Sequence, residues 1–116
     1  MARLPHVNSA LIDDRKITLY LLSNTHPAGR TKAAFFRRCG FRASAPHQLR
    51  DALLDHARTG EIVSIAETAY GRKYIVDGLL KALNSRKAWL RTVWFVEIGQ
   101  SLPRLVTAYP APGVRR

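Results

Sequence analysis

Residues 88–98 read AWLRTVWFVEI, and their alternation decides the fold. Leu90, Thr92, Trp94, Val96 and Ile98 point one way, and Arg91, Val93, Phe95 and Glu97 the other. That period of two belongs to a β-strand with two chemically different faces. Working outward, 61–69 and 72–77 read as two strands around a turn at Tyr70-Gly71, with Tyr74 and Val76 alternating. A polar, basic connection containing Asn84-Ser85 is expected over 78–87. Downstream, Gly99 to Pro103 makes a turn, and 104–109 forms a last strand that Pro110 ends.

The N-terminal half carries a helical period instead. Asp13 offers an N-cap, Ile17, Tyr20 and Leu21 share one face, and the helix ends near Ser23-Asn24. His26-Pro27 interrupts it, because the residue before proline is pushed out of the α region. A second helix is expected from about 28 to 39, with Ala33, Phe36 and Cys39 on its apolar side and Gly40 as terminator. Pro46 starts a third, with Leu49, Leu53 and His56-Ala57 at the helical repeat, and Gly60 stops it. About three N-terminal helices packed on a four-stranded antiparallel sheet make an α+β fold.

A chain of 116 residues holds one domain, with a core over about 5–110 and a basic tail at 111–116. Lys and Arg total 19 against 8 acids, a formal charge of +11. Solubility alone asks for roughly 2–8 charges on a small domain, so the excess points to a polyanionic partner. The charge is also patterned: no acid falls between Asp14 and Asp51, a window holding Lys16, Arg30, Lys32, Arg37, Arg38, Arg42 and Arg50. Clustered cations recruit phosphates and release their counterions. The lone Cys39 reads as a buried thiol, and the absence of an apolar leader or membrane-length run predicts a cytoplasmic location.

No glycine-rich phosphate loop, cysteine cluster or HExxH pattern is present, and the four histidines lack ligand spacing, so no metal or cofactor is expected. The inventory suits metal-free cleavage of RNA. Such cleavage needs a proton acceptor for the 2′-hydroxyl, a donor for the leaving oxygen, and cations for the charge on phosphorus. His26 stands before the second helix and titrates in the right range. Lys32 and Arg91 suit the developing charge and Arg30 an adjacent phosphate; of the sheet hydroxyls Thr92, Thr107 and Tyr109 that can position the phosphate, Thr107 is assigned its orientation. Arg37, Arg38, Arg72 and Lys73 extend the basic surface, while Tyr70 and Tyr109 are placed to stack on bases. Trp89 reads equally well as core or surface, and His56, on the apolar side of the third helix, reads as a packed histidine.

The runs Arg15-Lys16-Ile17 through Tyr20-Leu21-Leu22, His26-Pro27-x-Gly29-x-x-Lys32-Ala33-x-Phe35-Phe36, Cys39-Gly40-Phe41, Tyr70-Gly71-x-Lys73-Tyr74, Arg91-Thr92-Val93-Trp94 and Arg104 through Pro110 resemble an uncharacterised bacterial domain family of this length. The order of elements is also similar to small nucleases such as barnase, EndoU, the tRNA-cleaving colicins and RelE. That resemblance implies a toxin-type ribonuclease acting on RNA and restrained by a small acidic antitoxin or immunity protein. It carries His26, Arg30, Lys32, Arg91 and Thr107 over as site candidates by position. The alternative is a non-catalytic basic module that binds RNA or an acidic protein through the same face.

Overall fold

A computed structural model describes residues 2–23, 30–84 and 87–111. Helix α1 begins at Asp14–Lys16 and continues as a π-helical turn over Ile17–Leu21. Helix α2 spans Arg30–Arg38 and α3 spans Pro46–Thr59. The strands are β1 (Glu61–Thr68), β2 (Gly71–Lys81), β3 (Lys87–Glu97) and β4 (Arg104–Pro110). They pair antiparallel as a meander in the order β1-β2-β3-β4.

Local chemistry sets the helix ends. The Asp13 carboxylate accepts from the Arg15 N–H at 2.9 Å, satisfying one of the unpaired donors of the first turn. The wider turn that follows is closed by Leu22 N–H donating to the Ile17 carbonyl at 2.8 Å, a spacing of five residues. Helix α2 ends as the sequence suggests: Phe41 N–H reaches the Phe36 carbonyl, Gly40 N–H reaches that of Arg37, and Gly40 takes φ +95°. Pro46 occupies the first turn of α3, where a missing N–H costs nothing.

One face of the sheet buries the helices. Leu49, Leu53 and Ala57 of α3, Ile17 and Leu21 of α1, and Phe36 of α2 meet Val76, Leu80, Leu90, Trp94 and Ala108, all with no exposed surface. Each such side chain contributes roughly 1.5–3 kcal/mol of burial. A polar chain runs through this core. Trp94 Nε1–H donates to Thr92 Oγ1 at 2.8 Å, and His56 Nε2–H donates to the Leu90 carbonyl at 2.9 Å. The second bond leaves Nδ1 to accept from the Thr92 hydroxyl, 3.5 Å away. Burial holds the His56 imidazole below its ordinary range, against the bond to Leu90 and the charges of Asp77 and Asp55. His56 is a packed, neutral histidine.

The expected connection over 78–87 is a correction. Strand β2 runs on to Lys81 and β3 begins at Lys87, so both ends of that segment are sheet. Gly78, where the expected connection begins, marks a close crossing. A Cβ there would meet the Gly60 Cα at 2.9 Å, and one on Gly60 would meet Val76 Cγ1 at 2.8 Å. The pair lets the end of α3 cross directly over β2.

Candidate functional site

The other sheet face holds the candidate site, and the parity of two strands builds it. On β3, Trp89, Arg91 and Val93 alternate with the core residues Leu90, Thr92 and Trp94. Across the sheet, Glu61, Asp77, Arg91 and Tyr109 form one row, and Ser64, Ile75, Val93 and Thr107 the next. Strict alternation on β4 would turn Leu105, Thr107 and Tyr109 the same way. A bulge at Val106 breaks it: Leu105 opposes Trp94 on the core side, while Thr107 opposes Val93. The extra residue keeps Leu105 buried and delivers Thr107 and Tyr109 to the open face.

Arg91 is clamped by Asp77 through two parallel bonds, Nε to Oδ1 at 2.8 Å and Nη2 to Oδ2 at 2.9 Å. The Asp77 bonds, with a further bond to the Tyr109 hydroxyl, hold the guanidinium well above its usual range despite partial burial. From the other side, α2 brings Lys32, whose Nζ lies 5.9 Å from the centre of the Tyr109 ring and 5.4 Å from that of Tyr20. Lys16 covers the same Tyr20 ring at 5.2 Å. The Thr107 hydroxyl donates to the Tyr20 hydroxyl at 3.3 Å. Partial burial would raise the Tyr20 phenol, but the bonds from Thr107 and Lys32 and the charges of Lys32 and Lys16 outweigh it and lower it below the ordinary tyrosine range.

Lys32, Arg91, Thr107 and Tyr109 therefore meet although they come from three separate elements, whereas the Thr92 hydroxyl is a correction: it is buried on the core side, bonded to Trp94. Tyr20 joins those four, a placement that sequence reasoning missed. Its place beside Ile17 and Leu21 suggested a core position, but the π turn swings its hydroxyl toward β4. His26 lies outside the described residues, as does the side chain of Arg30, which opens α2.

The remaining basic candidates sit elsewhere. Arg37 donates to the Leu22 carbonyl at 3.0 Å, tying α2 to the end of α1. Arg38 is exposed beside Phe35, Cys39 and Lys87, and its carbonyl accepts from Asn84. Tyr70, 79% exposed, stands at the β1–β2 turn, and Arg72 pairs there with Glu67. Lys73 is exposed four residues from Asp77 along β2, a separation of about 13 Å at the rise of a strand. Among the described residues no group of three or more His, Cys, Asp or Glu side chains could hold a metal ion, and no helix is long and apolar enough to cross a membrane.

A family model described as a domain of unknown function (DUF6883) matches residues 3–112. None of the curated proteins matches. Among solved structures, a chain of the contact-dependent growth inhibition toxin–immunity protein complex from Klebsiella pneumoniae 342 is similar, with a TM-score of 0.69 and 17% identity. The likeness covers 92% of this chain and 97% of that one, and at such identity it is a likeness of fold.

Proposed function

The chain belongs to the DUF6883 family, and from that premise we propose that it is a toxin-type, metal-independent ribonuclease. The observation that carries the reading is the meeting of Lys32, Tyr20, Thr107, Tyr109 and the Asp77-clamped Arg91 on one open sheet face. Two fixed cations beside hydroxyl donors make a seat for a phosphodiester. The likeness of fold to a chain of a toxin–immunity complex adds support from a separate direction.

In this reading the RNA 2′-oxygen attacks the neighbouring phosphorus and the bond to the 5′-oxygen breaks. The products are a 2′,3′-cyclic phosphate and a 5′-hydroxyl. Lys32 and Arg91 stabilise the charge on the non-bridging oxygens, and Thr107 orients the phosphate. His26 and the acidified Tyr20 phenol divide the proton work: one takes the 2′ proton, the other supplies a proton to the leaving oxygen. DNA is not a substrate, since it lacks the attacking hydroxyl. The net charge of +11 suits both RNA and a small acidic antitoxin or immunity protein that would cover the same face.

Total RNA incubated with the purified protein in EDTA tests the reading. Wild type should cut it to fragments ending in cyclic phosphate, and Lys32→Ala, Arg91→Ala and His26→Ala should each slow cleavage at least a hundredfold. Intact mRNA and tRNA, with wild type and variants equally harmless on expression, would leave only a basic binding module.

A further inference from the structure

The open face extends past the phosphate seat to a cleft that the proposed reaction does not use. We infer that the cleft beside Trp89 is a nucleobase subsite, serving the nucleotide next to the phosphate held by Arg91 and Lys32. This inference rests on the ribonuclease reading for its choice of ligand.

Trp89 is one of two tryptophans; the other, Trp94, is fully buried in the core, whereas Trp89 is 40% exposed. It sits two residues before Arg91 and therefore on the same face, about 6.6 Å along the strand. Its register partner Leu79 is 48% exposed. Together with Val63, Glu61, Asp77 and the Thr59-Gly60 backbone they line a cleft of about 340 Å³. Small-molecule sites run from roughly 300 to 1,000 Å³, so this one has the scale of a single base rather than of a helix or strand. An indole beside a leucine gives a flat apolar slot, the surface on which bases stack whatever their sequence.

The polar groups of the cleft narrow the ligand further. Asp77 is engaged by Arg91, whereas the Glu61 carboxylate has neither hydrogen bond nor ion pair among the described residues. A carboxylate at the edge of a stacking slot accepts from an exocyclic amino group, as Glu and Asp do from cytosine N4. Uracil offers no such group. The subsite therefore prefers adenine, cytosine or guanine, and the Asp77–Arg91 pair separates base from phosphate: the carboxylate side faces β1, the cationic side faces β4.

Short single-stranded deoxyoligonucleotides serve as a probe that binds without being cut. A cytosine or adenine oligomer should quench tryptophan fluorescence, and an abasic oligomer of equal length should not. Trp89→Ala should weaken binding of the base-bearing oligomer about tenfold, with Trp89→Phe recovering much of it. Glu61→Gln should erase the preference for cytosine over uracil oligomers. Equal binding of abasic and base-bearing strands, unchanged by Trp89→Ala, would overturn the subsite. The outcomes separate the two readings. Base-dependent quenching without any RNA cleavage keeps the subsite and removes the ribonuclease, and cleavage without base-dependent quenching does the reverse.

Discussion

Thr92→Val is a sharp test of how the core is organised, because it changes hydrogen bonding while nearly conserving shape. The hydroxyl of Thr92 has no exposed surface and stands between two buried rings. It accepts from Trp94 Nε1–H at 2.8 Å and faces His56 Nδ1 at 3.5 Å. Valine leaves the indole N–H with no acceptor and no route to water, a loss of about 1–3 kcal/mol for a buried donor. The contact to His56 is too long to add much. With no cavity to create, the sum is about 2 kcal/mol out of a typical total of roughly 5–15. In a domain of this size that lowers Tm by on the order of 5–10 °C. Urea melts followed by far-UV circular dichroism measure it, with Thr92→Ser as the control that retains the hydroxyl and loses only a methyl. If Thr92→Val proves as stable as wild type, or more stable than Thr92→Ser, the indole is satisfied in some other way and the polar chain does not organise the core.

Other perturbations reach the site. Tyr20→Phe should keep the fold, since the ring stays packed, yet reduce cleavage at least tenfold and remove the part of the pH–rate profile that lies below the ordinary tyrosine range; an unchanged profile would exclude the phenol from proton transfer. Asp77→Asn leaves the Arg91 guanidinium, itself only 24% exposed, beside an uncharged partner, and should cost about 1–3 kcal/mol in urea melts as well as most of the cleavage rate. Because burial lowers the His56 imidazole below 6.5, the unfolded chain binds a proton there that the folded chain does not. That contribution to stability is complete above pH 6.5 and is lost as pH falls below it, so the urea midpoint should drop between pH 7.5 and 5.5. A rising midpoint, or an NMR titration placing His56 at 6.5 or above, would contradict the assignment. For RNA binding measured against salt, Lys32→Gln should reduce the slope by about 0.7, the value for one phosphate contact on a single strand, and an unchanged slope would remove Lys32 from the phosphate seat.

Much of the fold was legible because its signals are local. Asp13, Gly40 and Pro46 act on their own helix ends, and the alternation of 88–98 needs no partner to be read. What escaped depends on contacts distant in sequence. The strand continues through Gly78, the first residue of the expected connection, because Gly60 crosses it closely. The site was half legible. Residue type and placement singled out Lys32, Arg91, Thr107 and Tyr109, but strict alternation would have sent Thr107 and Tyr109 to the same face as Leu105. Only the bulge at Val106 resolves that conflict. Tyr20 was hidden for a similar reason, since a π turn shifts the helical period by which its neighbours were assigned.

Strand β3 holds the polar core chain on its even-numbered side chains and the candidate site on its odd-numbered ones. The even set lies in the packed interior, whereas Trp89 and Arg91 reach the open trough. Substitution at 89, which is 40% exposed, can accumulate without disturbing what fixes the strand against α3. A lineage that keeps Leu90, Thr92 and Trp94, with the Asp77–Arg91 pair, is thus free to exchange Trp89, acquiring a new preference in the trough on an inherited framework.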